Sequence, residues 1–167
     1  MAVLKVVQYP DPVLTTKTKP VERITDVERK LVSDMIETMY AENGVGLAAN
    51  QVGVSKQIFV ASADQVKGKE LVFFNPRIIK TQGIIKEFEG CLSVREFYEP
   101  VKRAKKVWMK AVNLDGQEVE ITGEGLLSRI FQHEIDHLNG ILFIDKVGLL
   151  NSRRIKKKLS RKPAAKS

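Results

Sequence analysis

Two histidines occur in the whole chain, and they stand four residues apart in FQHEIDHLNG, with Glu134 directly after the first. On a helix, positions i and i+4 share one face, so His133 and His137 can turn both imidazoles toward one metal ion. Glu134 then lies about 100° round the same helix, within reach of a water activated there. A solvated helix face carrying His, Glu and Asp is the plainer alternative. The flanking pattern disfavours it: Leu126, Ile130, His133 and His137 form one stripe, so the histidines face inward beside apolar side chains. Buried imidazoles without a partner are costly, and a metal relieves that cost.

The third ligand separates the kinds of HExxH helix. Beyond His137 the chain has no His and no Glu, only Asp145, which disfavours the common zinc-protease arrangements. The strong upstream candidate is Cys91, in EGCLS. A thiolate and two imidazoles leave a fourth position open, as catalytic rather than structural sites do. A lone cysteine is otherwise most often a small buried hydrophobe, and it forms no internal disulfide. A third stretch, GVGLAANQ at 44–51, lacks the ending of a phosphate-binding loop. It is either a tight turn followed by packed small residues, or a backbone edge lying along an extended substrate with Gln51 aimed at the reacting carbonyl.

The elements that must position these residues follow from periodicity. TDVERKLVSDMIETMYAEN predicts a helix, with Thr25 and Glu28 as a capping box and Val27, Leu31, Met35 and Met39 recurring every four. QIFVAS, LVFFN, RIIK and IIKEFE read as strands. KKVWMKAVNLDGQEVEIT reads as a hairpin turning at Asp115-Gly116. The HExxH helix is expected over about residues 124–139 with Gly140 as its stop, followed by a last short strand, ILFID. The fold class is α+β: antiparallel strands packed around a central helix carrying HExDH, with an N-terminal helix and a basic C-terminal helix or tail.

Composition frames this. At 167 residues, one domain is expected, with 1–150 catalytic and 151–167 a basic tail. The tail holds eight basic side chains and no acid, so it carries the entire net charge of +8. It reads as a weakly amphipathic, solvated end or as a polyanion contact, RNA first. No apolar run suits a membrane span, and the start resembles no secretory or transit signal, so a cytoplasmic protein without membrane attachment is expected.

Taken together, GVGLAANQ, EGCLS and QHEIDH resemble the peptide deformylase family, of bacterial or organellar type. The family pattern is G-x-G-L-A-A-x-Q, E-G-C-L-S and Q-H-E-x-D-H, and the resemblance spans about residues 2–148. It implies a hydrolase that removes the N-formyl group from the formyl-methionine of nascent polypeptides and releases formate. It further implies that Cys91, His133 and His137 bind Fe²⁺, with Zn²⁺, Ni²⁺ or Co²⁺ as substitutes, and that Glu134 is the general base and then acid. The Gln51 amide and the Leu92 N–H would hold the oxyanion. Gly46 would bind the peptide in an extended form, with Val45, Leu126 and Ile130 lining the methionine pocket. A monomer is expected, docked near the ribosomal exit tunnel by the tail. Arg95 departs from the family pattern, where many members have proline, and bears on the rim of the peptide groove. Two other readings compete on the residues alone: an RNA-binding protein with a structural metal, which has no use for Glu134, and a different metal amidase.

Overall fold

The first helix, α1 (Asp26–Ala41), starts where the capping box places it. Thr25 accepts from the Val27 N–H, Glu28 accepts from the Thr25 N–H at 2.9 Å, and Lys56 closes on Glu28 from outside. The computed structural model describes residues 1–161; Lys162 and Lys166 of the basic tail lie outside the described residues. α1 buries Val32, Met35 and Met39, whereas Val27 points to solvent. The expected stripe is therefore corrected at its first turn. Asn43, with φ of 56°, ends the helix, and its fold-back delivers Gly44 to the site.

Among the described residues, seven strands follow in two antiparallel sheets. These are β1 (Gly46–Ala48), β2 (Ile58–Ala61), β3 (Leu71–Gln82), β4 (Ile85–Cys91), β5 (Val94–Arg103), β6 (Lys106–Val112) and β7 (Glu118–Glu124). The larger sheet has the order β1-β2-β3-β6-β7, and β4-β5 forms the smaller one. LVFFN and RIIK are one strand, β3, interrupted by a register shift between Phe74 and Arg77. Asn75 there takes φ of 50° and bonds Val21 through both ends of its amide. The β6–β7 hairpin turns through Asn113–Gln117, where Asn113 Oδ1 accepts from the Asp115 and Gln117 N–H groups.

Helix α2 (Leu126–Leu138) carries both histidines and packs against β7, β1 and β2. Phe131 on its inner face meets Phe59 of β2 and Phe73 of β3, and the three rings contact one another at centroid distances of 5.3–6.0 Å. Gly140, at φ of 75°, stops it in a conformation that favours glycine. A Cβ on Gly140 would also strike the Thr15 backbone at 2.8 Å.

ILFID is not a strand. Phe143–Lys146 form a 3-10 turn in which the Asp145 carboxylate accepts from the Leu142 N–H. Leu142, Phe143 and Ile144 are all buried. Three consecutive buried residues suit a coiled turn against the core better than a strand with one open face. Helix α3 (Leu149–Arg161) follows. It is more amphipathic than its sequence suggests: Ile155 is fully buried beside Leu142 and Val94, Ser152 is buried, and Arg154 and Asn151 both reach Glu99.

Candidate metal centre and active site

The thiol of Cys91, at the end of β4, meets the two imidazoles of α2. His137 Nε2 lies 3.3 Å from Cys91 Sγ and 3.1 Å from His133 Nε2. All three ligand atoms fall within 4.8 Å of one another. Bonds of 2.0–2.3 Å in a tetrahedron give donor separations of about 3.3–3.6 Å, so the trio fits one divalent ion with small adjustment. Tautomer chemistry agrees: His133 gives Nδ1 to Glu89 at 2.7 Å, which frees Nε2 to serve as a ligand. Burial pushes the His137 pKa well below its usual value, helped by the positive charge of His133. Burial opposes charge on His133 too, but Cys91 and Glu89 outweigh it and raise its pKa. Two adjacent imidazoles thus compete for one positive charge, which a cation between them satisfies.

Glu89 is the hub behind these three candidate donors. Arg103 grips it through Nε at 2.8 Å and Nη2 at 2.9 Å, and Arg129 closes on the same carboxylate. Arg103 also bonds Asp136 of α2, so one guanidinium ties β5 to the helix and orients His133 through Glu89. Burial alone would raise the Glu89 carboxyl, but Arg103 and His133 hold it far below its ordinary range. Arg103 and Arg129 escape sequence reasoning. Their partners are distant along the chain, and only the EGCLS match pointed at Glu89.

Glu134 is buried among these groups, and its Oε2 has no hydrogen-bond partner. Burial pushes its carboxyl up to about 7, against the pull of the His133 charge. It faces Gly46: a Cβ built there would lie 2.6 Å from Glu134 Oε1. Ser62 N–H donates to Val45 O at 2.8 Å, in register with the Gly46–Ala61 pair. Alternation along an antiparallel pair then leaves the Gly46 N–H and C=O turned away from β2, toward the open edge of β1. β1 is thus an edge strand whose free side lines the site.

Gln51 is buried, accepting from the Ala48 N–H at 3.0 Å. Its Nε2 sits 3.2 Å from Ser93 Oγ and 3.6 Å from Cys91 Sγ. Gln51, Leu92, Val45, Gly46, Leu126 and Ile130 all line one cleft of about 480 Å³ with Cys91, His133 and Glu134. The structure therefore brings every sequence-expected site residue together. Leu126 differs in burial only: as the first residue of α2 it is half exposed at the mouth rather than inward. Arg95 reaches Glu42 across the rim at 2.9 Å.

The polypeptide deformylase family model matches residues 3–153. The chain belongs to that family. It is 47% identical over 162 residues to a peptide deformylase of Azotobacter vinelandii, covering 96% of each chain. It is 48% identical to one from Pseudomonas aeruginosa at the same coverage. Among solved structures, a Legionella pneumophila peptide deformylase superposes with a TM-score of 0.89 at 43% identity, covering 97% of this chain and all of that one. An Ehrlichia chaffeensis peptide deformylase in complex with actinonin gives 0.90 at 37% identity, covering 99% of this chain and 100% of that one. As a member, the chain is a metal-dependent hydrolase that removes the formyl group from the formylated N-termini of polypeptides. Among the described residues, no helix is long and apolar enough to cross a membrane.

Proposed function

We propose that Cys91, His133 and His137 hold the family's divalent ion and that Glu134 moves the proton in formyl-methionine hydrolysis. The observation that carries this reading is the convergence of the three donors beside the buried Glu134 carboxylate, whose Oε2 has no hydrogen-bond partner among the described residues. The bound ion supplies Lewis acidity, so hydroxide becomes available at neutral pH. Glu134, tuned near neutrality by burial, accepts a proton as the nucleophile forms and returns it to the leaving amine. The Gln51 amide and the Leu92 N–H stabilise the oxyanion, each contributing about 3 kcal/mol in the transition state. The free edge of β1 binds the peptide as an added strand through Gly46. Val45, Leu126 and Ile130 receive the methionine side chain.

The thiolate ligand favours a soft divalent metal, and Fe²⁺ is the proposed native ion, with Zn²⁺, Ni²⁺ or Co²⁺ as replacements. The enzyme acts as a monomer in the cytoplasm. Its exposed basic residues Arg153, Lys157, Lys158 and Arg161 contact RNA near the ribosomal exit tunnel. Residues 1–150 supply the chemistry and 151–167 the docking.

The test is amine release from formyl-Met-Ala by the metal-loaded protein and by its Glu134→Gln variant. The variant should keep its metal and lose roughly two to four orders of magnitude in turnover, since only the proton acceptor is gone. Substantial activity in the metal-loaded variant would place the base elsewhere.

A further inference from the structure

Phe88 and Tyr98 are 73% and 71% exposed, yet both line the catalytic cleft. Large aromatic side chains left open beside a binding site signal a contact surface. β4 and β5 set their direction. Phe88 pairs with Pro100 and Glu89 with Glu99, so Phe88, Tyr98 and Pro100 share one face of this two-stranded sheet. Glu89 lies on the other face, turned toward His133 and Arg129 of α2. The aromatic pair therefore looks away from α2. Gly90 lets the Tyr98 ring settle against the strand, because a Cβ at that position would come within 2.5 Å of it.

Successive side chains of an extended peptide point to opposite faces. A substrate whose methionine points at Leu126 and Ile130 of α2 must turn its next side chain away from that helix, onto the aromatic face. We propose that Phe88 and Tyr98 form a ledge that selects an apolar side chain at the residue after formyl-methionine. This rests on the extended binding mode assigned above. The selectivity is hydrophobic: Leu or Phe at that position covers ring surface, and Ser leaves it wet. Lys86 and Lys102 pair on the same face, so an acidic side chain offers the competing electrostatic outcome.

The measurement is kcat/KM on a capped series, formyl-Met-Xaa-Ala-amide with Xaa Leu, Phe, Ser or Asp. The parent should favour Leu and Phe over Ser and Asp by about five- to tenfold, chiefly in KM. In Phe88→Thr and Tyr98→Thr, the Leu-to-Ser ratio should fall toward one. A ratio within one variant is independent of the fraction of protein that is folded. Normal turnover without apolar preference, a preference for Asp, or a ratio unchanged in both variants overturns the ledge alone. Failure to turn over any formyl peptide would remove the assigned activity and the ledge with it.

Discussion

Glu89 Oε1 lies 2.7 Å from His133 Nδ1, while two buried guanidiniums, Arg103 and Arg129, hold the rest of the same carboxylate. The orientation of His133, one of the three proposed metal ligands, is therefore set by charges on β5 and α2 that lie behind it. Glu89→Gln keeps the shape and removes the charge. Metal affinity should fall about 10–100-fold, because the imidazole keeps an acceptor but loses the negative charge that raises its basicity. Stability should fall by about 3 kcal/mol, because two buried cations lose the carboxylate they share. Chelator competition and denaturant titration read the two effects separately. Unchanged metal affinity would leave Glu89 a purely structural counter-charge.

Gly46 is required by contact. In Gly46→Ala the new Cβ must displace the Glu134 carboxylate, which stands where the methyl would go. The expected result is a loss of roughly a hundredfold in kcat, since a misplaced catalytic group of about 1 Å costs that much. Metal content should stay the same. Full activity would mean that Glu134 has room to move and that its observed position is not the working one.

The sequence carried the reacting groups further than their supports. His133, Glu134 and His137 are legible because one helix places them by its own geometry. Cys91 is the upstream candidate for a third donor, and the fold places its thiol beside both imidazoles. Arg103 and Arg129 are not legible, since their contacts with Glu89 depend on how β5 and α2 pack against β4. Strand β5 was also hidden: Pro100 and the glutamates of REFYEP disguise a segment whose pairing with β4 supplies one wall of the cleft. ILFID misled for a related reason. Its apolar run fits a strand by composition, but among the described residues no strand pairs with it, and Asp145 caps it into a turn. Ile155 shows the same limit in the tail, where eight positive charges masked one buried contact that anchors the helix.

Gln51 does two jobs that a single substitution can separate. Its oxygen satisfies the buried Ala48 N–H, and its nitrogen faces Ser93 and the thiol. Gln51→Leu would lose both, orphaning a backbone donor at a cost of about 1–3 kcal/mol. Gln51→Glu retains the acceptor and removes the amide donor. It should lower kcat/KM by two to three orders of magnitude, with the loss in kcat, because an oxyanion donor acts only in the transition state. A change confined to KM would make Gln51 a ground-state peptide contact instead.

The basic helix calls for neutralisation rather than truncation. Deleting everything after Leu150 would remove Ile155 from the core and break the Asn151 and Arg154 contacts to Glu99, so lost binding could simply report unfolding. Arg153, Lys157 and Lys158 are exposed on α3, away from those contacts. Changing all three to Gln preserves helix propensity and removes three charges. If these side chains meet ribosomal phosphates, log affinity against log salt should lose about 0.7–0.9 in slope for each contact removed. Hydrolysis of short formyl peptides should be unaffected, since none of the three side chains lines the catalytic cleft. Co-sedimentation with ribosomes across a salt series reads the slope. Identical slopes for parent and variant would show that the charge serves solubility rather than docking.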